Sequence, residues 1–255
     1  MSYYFTKQQL PLDDLRKLGL YDGSQINLTP DNLQALLAGQ RTGLVTLHNL
    51  KADGFRIADL DARLSLSRQP DGTLALNLHP IYREAQQHGQ LLNIEAELLK
   101  SGGLLSVTKT VQTGNGQPKT TVIEYDAETK EFVSYDPGRI TAPEQVNGEQ
   151  LSPEQQRMYR RGETVSLSDG TQFQYRAVEP KGITSNRNML ILSVLLDGGI
   201  SYLLYTGLKN LFGSRTKQLD AHTEGFAQAN EALQQQEKEK LQQQQQEKSA
   251  NTPRR

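Results

Sequence analysis

Few residues of this chain have the types and spacing that catalysis requires. Ser106 and Lys109 have a Ser-x-x-Lys spacing, which brings two side chains together on a helix, because residues three or four apart share a helix face. The pattern from Leu104 to Val111 instead predicts a strand, on which these two side chains point to opposite faces. The motif therefore predicts no catalytic site.

The stretch from Gly114 to Thr120 partly matches a phosphate-binding loop. In such loops a glycine precedes the lysine, but here Pro118 precedes Lys119 and removes a backbone N–H where the phosphates would bind. Strand patterns also lie on both sides, whereas a phosphate loop joins a strand to a helix. We therefore expect Gly114-Asn115-Gly116 to form the tip of a hairpin.

The residues that usually bind metals are also scattered. The sequence contains no cysteine, which excludes thiol nucleophiles, thiolate metal sites and disulfide bonds. Asp59 and Asp61 share one face of a predicted strand, but two carboxylates are too few to define a cation site. The histidines lack metal-ligand spacing; they are His48, His79, His88 and His222. We therefore expect no catalytic residue, no metal and no cofactor, and a protein that is not an enzyme.

The charge balance argues against a strong nucleic-acid binder. The formal net charge of the 255 residues is −1, whereas phosphate binding usually needs a basic excess. Arg56, Arg63 and Arg68, which lie along one predicted hairpin, are the candidate nucleic-acid contacts, although stacking aromatic residues are not interleaved with them. The N-terminus lacks a basic segment followed by an apolar run. We therefore expect no signal peptide and a cytoplasmic protein.

Two stretches of the chain have the same helix-starting sequence. Leu28-Thr29-Pro30-Asp31 and Leu151-Ser152-Pro153-Glu154 are followed, at the same spacing, by Gly39 and Gly162. The hydroxyl residue caps a helix, proline suits its first position, and the acid lies at the positive end of the helix dipole. The glycine then ends the helix. A looser copy without the proline runs from Leu92 to Gly103.

Alternating leucines predict β-hairpins after these helices. Every second residue is apolar from Leu60 to Leu66 and from Leu74 to Leu78, and Pro70-Asp71-Gly72 between the runs is a turn sequence. We expect one buried leucine face and one exposed polar face. The predicted fold class is α+β, with two or three helix–glycine–β-hairpin modules followed by an apolar helical segment and a polar, Gln-rich tail. The predicted segments are residues 1–85 (first module), 86–182 (second and third modules), 183–213 (apolar helical segment) and 214–255 (tail, partly helical, then disordered from about Lys238).

The apolar segment leaves several alternatives open. From Met189 to Gly207 it has about the length of a membrane-spanning helix, and its only charged residue is Asp197. One alternative is a helix, or two short helices broken at Asp197-Gly198-Gly199, packed on the domain or on a partner. The others are a membrane span, with Asp197 facing an oligomer or the interface, and a re-entrant or peripheral element. Hydropathy does not decide, because a mid-membrane aspartate costs about 2.5–3.5 kcal/mol while each leucine or isoleucine recovers only about 0.3–0.6 kcal/mol.

Three polar residues of this segment are candidates for an interaction site. Ser193, Asp197 and Ser201 are spaced so that they would form one polar stripe on a helix. Such a stripe could face a partner helix or the inside of an oligomer. We therefore take these three residues as the candidate interaction residues.

Short stretches spread along the chain carry a family resemblance. They are Leu-Leu-Ala-Gly-Gln-Arg-Thr (36–42), Lys-Ala-Asp-Gly-Phe (51–55), Asp-Ala-Arg-Leu-Ser-Leu (61–66), Leu-His-Pro-Ile-Tyr-Arg (78–83), Glu-Thr-Lys-Glu-Phe (128–132) and Leu-Asp-Gly-Gly-Ile-Ser-Tyr (196–202). In these stretches the chain resembles domain-of-unknown-function proteins carried on conjugative and mobilisable elements of Bacteroidota. The resemblance implies an accessory role in transfer, maintenance or host takeover, and it brings no catalytic residues.

Two functional hypotheses from different classes follow. In the first, the chain is a non-enzymatic accessory or interaction protein of a mobile genetic element, which binds a partner protein or a membrane through residues 188–212. In the second, it is a nucleic-acid-binding accessory factor in transfer or maintenance of the element. The lack of any catalytic constellation beside one unusual apolar segment favours the first hypothesis.

Overall fold

The computed structural model describes residues 5–52, 54–112, 117–196, 199–213 and 215–250. The chain divides into two compact units. Unit 1 comprises Met1–Ile140 and Tyr175–Ile183, and unit 2 comprises Thr141–Gln174 and Thr184–Arg255. The chain therefore passes between the units more than once.

Unit 1 is built on two antiparallel sheets of three strands each. Its elements are α1 (Leu12–Lys17), α2 (Pro30–Leu37), β1 (Val45–Ala52), β2 (Phe55–Arg68), β3 (Leu74–Pro80), α3 (Asn93–Ser101), β4 (Val107–Gln112), β5 (Pro118–Asp126) and β6 (Glu131–Tyr135). The first sheet has the order β1-β2-β3 and the second β4-β5-β6. The leucine face of β2 lies in one core with α1 and α2, in which Leu15, Leu36 and Leu64 are buried.

Unit 2 contains two sheets of four strands each in its described residues. Its elements are β7 (Gln145–Val146), β8 (Glu149–Gln150), α4 (Pro153–Arg160), β9 (Val165–Ser166), β10 (Gln172–Tyr175), β11 (Ile183–Ser185), β12 (Met189–Leu196), β13 (Gly199–Thr206), β14 (Lys209–Asn210) and α5 (Glu224–Ala250). The last residue of β10, Tyr175, and the first of β11, Ile183, belong to unit 1. One sheet has the order β14-β11-β10-β9 and the other β13-β12-β7-β8. Helix α5 packs on the second sheet, where Phe226 and Ala229 contact Ile191.

The predicted fold class is wrong, because the described chain is mostly β-sheet and the apolar segment is not helical. Strands β12 and β13 form an antiparallel hairpin in which Met189 pairs with Thr206 and Leu196 with Gly199. Two short apolar runs on either side of an Asp-Gly dipeptide are a hairpin signal. That local signal outweighs the total length of the apolar segment, so a series of helix–hairpin modules with an apolar helix does not describe the fold.

The C-terminal segment also differs from its prediction. Helix α5 extends to Ala250, past Lys238, from which the sequence predicted disorder.

Among the described residues, no helix combines the length and the apolar character that crossing a membrane requires.

The two matching helix starts are confirmed. The Thr29 hydroxyl accepts a hydrogen bond from the Asn32 N–H at 3.3 Å, and the Ser152 hydroxyl accepts one from the Gln155 N–H at 3.2 Å. Gly39 and Gly162 follow these helices with φ angles of 73° and 70°, a left-handed conformation that glycine adopts without steric cost. Local sequence therefore sets the start and end of both helices.

Replacing Thr29 or Ser152 by alanine is expected to lower the free energy of unfolding by about 0.5–2 kcal/mol in each case. Each alanine leaves one N–H at the helix start without its side-chain acceptor. Urea denaturation of both variants measures the loss. Thr29→Ser and Ser152→Thr keep the hydroxyl and are the matched controls; equal stability of the alanine variants and the wild type would show that the caps contribute nothing.

Candidate functional site

Charged residues, most of them buried, join the two sheets of unit 1. We call Arg41, Arg63, Asp126, Glu128 and Glu131 the ion cluster. The Asp126 carboxylate lies 3.0 Å from an Arg41 nitrogen and 3.3 Å from Arg63 Nε. Arg63 also pairs with Glu128 at 2.6 Å, and Arg41 pairs with Glu131. Since the two arginines and Asp126 are almost fully buried, each charge depends on its partners for stabilisation.

One of the three candidate nucleic-acid contacts, Arg63, belongs to the ion cluster. Arg63 is 3% exposed and donates a further hydrogen bond to the Val178 carbonyl, so it is not available to a nucleic acid. Arg56 and Arg68 are exposed but lie near opposite ends of β2, roughly 40 Å apart along the strand at about 3.3 Å per residue. The structure therefore does not bring these three arginines together.

The first hairpin was expected to have an exposed polar face, and this is only partly correct, because Arg63 on that face is buried. The leucine face of β2 is buried as predicted, but Ser65 and Ser67 on the other face are half-buried. The reason is that Arg63 pairs with Asp126 and Glu128 beyond the hairpin. Both faces of β2 are therefore covered over part of its length.

Ser65, His79 and Glu131 form a chain of contacts in the order of a nucleophile, a base and an acid. The Ser65 hydroxyl lies 2.8 Å from His79 Nε2, and His79 Nδ1 lies 3.3 Å from the Glu131 carboxylate. The sequence alone does not reveal this chain of contacts, because pairing of β2 with β3 brings Ser65 to His79 and contact between the two sheets brings Glu131 to His79. Burial alone would raise the pKa of Glu131, but hydrogen bonds from His79 and Arg41 lower it to about 2. Because Arg41 already neutralises the charge of Glu131, we interpret this chain of contacts as structural: it holds β3 and β6 together.

A second buried carboxylate lies further along β5. Glu124 is fully buried, accepts a hydrogen bond from the Val178 N–H at 3.2 Å, and lies 3.5 Å from Arg176 Nε. Burial raises the pKa of Glu124 to about 7, despite the opposing effects of Arg176 and the backbone hydrogen bond. Burial therefore favours the protonated form of this carboxylate.

Unit 1 also contains an open cavity of about 550 Å³. Its walls come from the end of α2, the end of β2, strands β5 and β6, and residues 136–140. Three cationic side chains, Arg68, Lys119 and Arg139, line it together with one carboxylate, Asp136. Lys119 belongs to the stretch that partly matches a phosphate loop; it lies on β5, and residues 114–116 are outside the described residues.

In unit 2 the apolar hairpin leaves one strand at the edge of its sheet. Strand β13 is the last strand on its side. The Gln236 side chain of α5 accepts a hydrogen bond from the Tyr202 N–H at 3.1 Å and donates one to the Ile200 carbonyl at 2.8 Å. Ile200 and Leu204 are 45% and 46% exposed, which is unusual for such large apolar side chains on one strand. The hairpin therefore presents both backbone groups and apolar side chains at this edge.

The candidate interaction residues do not form one stripe. Ser193 is buried and pairs with Tyr202, whereas Ser201 pairs with Val194, so the two serines point to opposite faces of the sheet. Asp197 lies outside the described residues. The expected spacing depended on a helix, which this segment does not form.

The other three histidines each contact one polar side chain. His48 lies 2.6 Å from Asp59, His88 lies 2.9 Å from the Ser134 hydroxyl, and His222 lies 3.3 Å from Asp220. Within the described ranges no group of three or more histidine, aspartate or glutamate side chains is arranged to hold a metal ion.

Comparisons with known proteins give one finding, for the N-terminal part of unit 1. No curated protein and no solved structure matches the chain. A family model does match residues 5–90, and it is described as a protein of unknown function, DUF4099. The match covers α1, α2 and the β1-β2-β3 sheet. A DUF4099 domain of unknown function therefore covers residues 5–90.

Proposed function

We propose that this chain is a non-enzymatic interaction protein that binds a partner protein along the edge strand β13. The observation that carries the proposal is the exposed edge of the β12–β13 hairpin, with Ile200 and Leu204 about half-exposed on it. Edge strands of this kind bind extended segments of other chains unless they are blocked. The partner is therefore expected to contribute a β-strand.

The contact with Gln236 supports strand addition at this edge. In an antiparallel ladder, the N–H and C=O of alternate residues point to the same side of the strand. Because Gln236 bonds to Tyr202 N–H and to Ile200 C=O, the N–H and C=O of Leu204 point to the same edge. The Gln236 amide makes the pair of hydrogen bonds that a neighbouring strand would make, and a partner strand would continue this pattern along Leu204.

The biological role and the location of the protein are also proposals. The resemblance described above supports an accessory role on a conjugative or mobilisable element of Bacteroidota, in the cytoplasm. For the apolar segment we favour a protein partner over a membrane, because β13 is an edge strand and lipid cannot satisfy the backbone N–H and C=O groups that it presents at Leu204.

The edge contact can be tested at Leu204. Proline at this position removes an outward-pointing N–H while leaving the pairing with β12 intact, since edge strands tolerate proline where the N–H faces outward. Affinity purification from the native host is expected to recover one partner with the wild type, less of it with Leu204→Ala, and none with Leu204→Pro. Adding the purified partner is expected to slow hydrogen exchange at the Leu204 amide of the wild type.

The matched control is Leu241→Ala, because Leu241 is 59% exposed but lies on α5. It is expected to bind the partner as the wild type does. Equal recovery with Leu204→Pro, in a variant that unfolds at the wild-type temperature, would rule out strand addition. Hydrolase activity of the wild type as a partner-free monomer would contradict the non-enzymatic function.

A further inference from the structure

The cavity of unit 1 collects positive charge in a chain that is close to neutral. Three exposed cations, Arg68, Lys119 and Arg139, line it, against the one carboxylate of Asp136, while the whole chain has a net charge of −1. The Asp136 carboxylate already accepts a hydrogen bond from the Gly138 N–H at 2.8 Å. The rim of the cavity therefore favours an anionic group over a cation.

The floor of the cavity is aromatic and apolar. Phe5, Leu66 and Tyr175 are buried and Tyr135 is half-buried, and the Tyr135 and Tyr175 rings lie 5.0 Å apart in an edge-to-face arrangement. The Gln40 side-chain amide lies 3.4 Å from the Tyr175 hydroxyl on the same wall. This wall combines ring surfaces with groups that both donate and accept hydrogen bonds.

We propose that this cavity binds a phosphorylated nucleoside, with the base on the aromatic floor and the phosphate at the cationic rim. A volume of about 550 Å³ lies within the range of small-molecule sites. A sugar phosphate makes no use of the aromatic floor, and a fatty acid makes no use of the Gln40 amide. A nucleotide uses the floor, the amide and the rim, since bases stack on aromatic side chains and phosphates pair with arginine and lysine.

A free nucleotide and the phosphorylated end of a nucleic-acid strand both carry a base and a terminal phosphate. The cavity is open to solvent, so a strand end can enter it as a free nucleotide does. The cavity recognises the terminal nucleotide in both cases. The proposal is independent of strand addition at β13, because the two sites lie in different units.

Calorimetric titration of the full chain with the four nucleoside 5′-monophosphates tests the site. We expect binding of at least one of them, with the corresponding nucleoside and inorganic phosphate each binding at least about tenfold more weakly, because each lacks one of the two contacts. Lys119→Ala is expected to weaken nucleotide binding about tenfold, and added salt to weaken it further. Lys51→Ala is the control, because Lys51 is equally exposed but lies on β1, away from the cavity.

An oligonucleotide with a 5′-phosphate, and the same oligonucleotide without it, distinguish the two sources. Tighter binding of the phosphorylated strand than of the mononucleotide supports a strand end as the ligand, and equal or weaker binding supports a free nucleotide. The proposal is overturned if no monophosphate binds at millimolar concentration, if inorganic phosphate binds as well as the nucleotide, or if Lys119→Ala and Lys51→Ala bind alike. Lys119 is exposed, so its replacement is not expected to unfold the protein.

Discussion

Replacing Arg63 by alanine is expected to lower the free energy of unfolding by about 3–5 kcal/mol, because it removes one of the two arginines that pair with the buried Asp126 carboxylate, together with the partner of Glu128. Arg63 is 4% exposed at its side chain, and the Asp126 carboxylate beside it is 2% exposed. The change also removes the donor to the Val178 carbonyl. Chemical denaturation measures the loss, which is a large fraction of the roughly 5–15 kcal/mol that stabilises an ordinary domain.

Arg56→Ala provides the matched control. Arg56 lies on the same strand but is exposed, so its replacement is expected to change stability by no more than about 0.5 kcal/mol. Similar small effects of both changes would show that the ion cluster contributes little. Similar large effects would show that loss of arginine from β2, rather than loss of the buried pairs, is responsible.

The features that were predicted correctly depend on neighbouring residues. The caps at Thr29 and Ser152 need only a hydroxyl, a proline and a glycine at fixed positions, and the pairing of β2 with β3 needs only two alternating runs and a turn. Each of these signals lies within about a dozen residues of the structure that it specifies. Local physical chemistry is therefore sufficient to place them.

The apolar hairpin shows where such signals conflict. Residues 189–207 have enough apolar character and length for a buried or membrane-spanning helix, and a short apolar run does not by itself distinguish helix from strand. The Asp-Gly dipeptide at 197–198 and the β-branched and aromatic residues around it favour a hairpin. The fold class was predicted wrongly because the segment was expected to be helical, with Asp197-Gly198-Gly199 as a break in the helix, and a hairpin was not among the alternatives.

The candidate sites could not be predicted because they depend on packing between distant segments. Arg63 has the alternation of an exposed residue and is buried because Asp126 and Glu128 are brought over it. The aromatic residues missing beside Arg68 in the sequence are supplied by Phe5, whose ring lies 5.7 Å from its guanidinium. Charge and aromatic surface thus meet in space where the sequence keeps them apart.

Stability is expected to fall as pH rises from about 4.5 to 7 through the ionisation of Glu124. Its ordinary pKa of 4.5 is raised to about 7 by burial in the folded protein, so the unfolded chain ionises first. Below pH 4.5 both states are protonated and Glu124 has no effect, whereas above pH 7 its ionisation costs the folded state roughly 3 kcal/mol at 1.36 kcal/mol per pKa unit. Glu124→Gln removes this cost, so its stability relative to the wild type is expected to increase by roughly that amount between pH 4 and pH 8.

Denaturation of wild type and variant across this pH range tests the prediction, and Glu131→Gln is the control with the opposite sign. The pKa of Glu131 is lowered to about 2 by its hydrogen bonds from His79 and Arg41, against the effect of burial. Its contribution to stability is therefore complete above pH 4.5 and is lost as pH falls toward 2. The stability difference between wild type and Glu131→Gln should therefore change between pH 4.5 and pH 2, whereas the Glu124→Gln difference changes most from pH 5 to pH 8. A constant difference for Glu124→Gln over the same range would mean that its carboxylate is ionised in the folded protein, with Arg176 compensating fully for its burial.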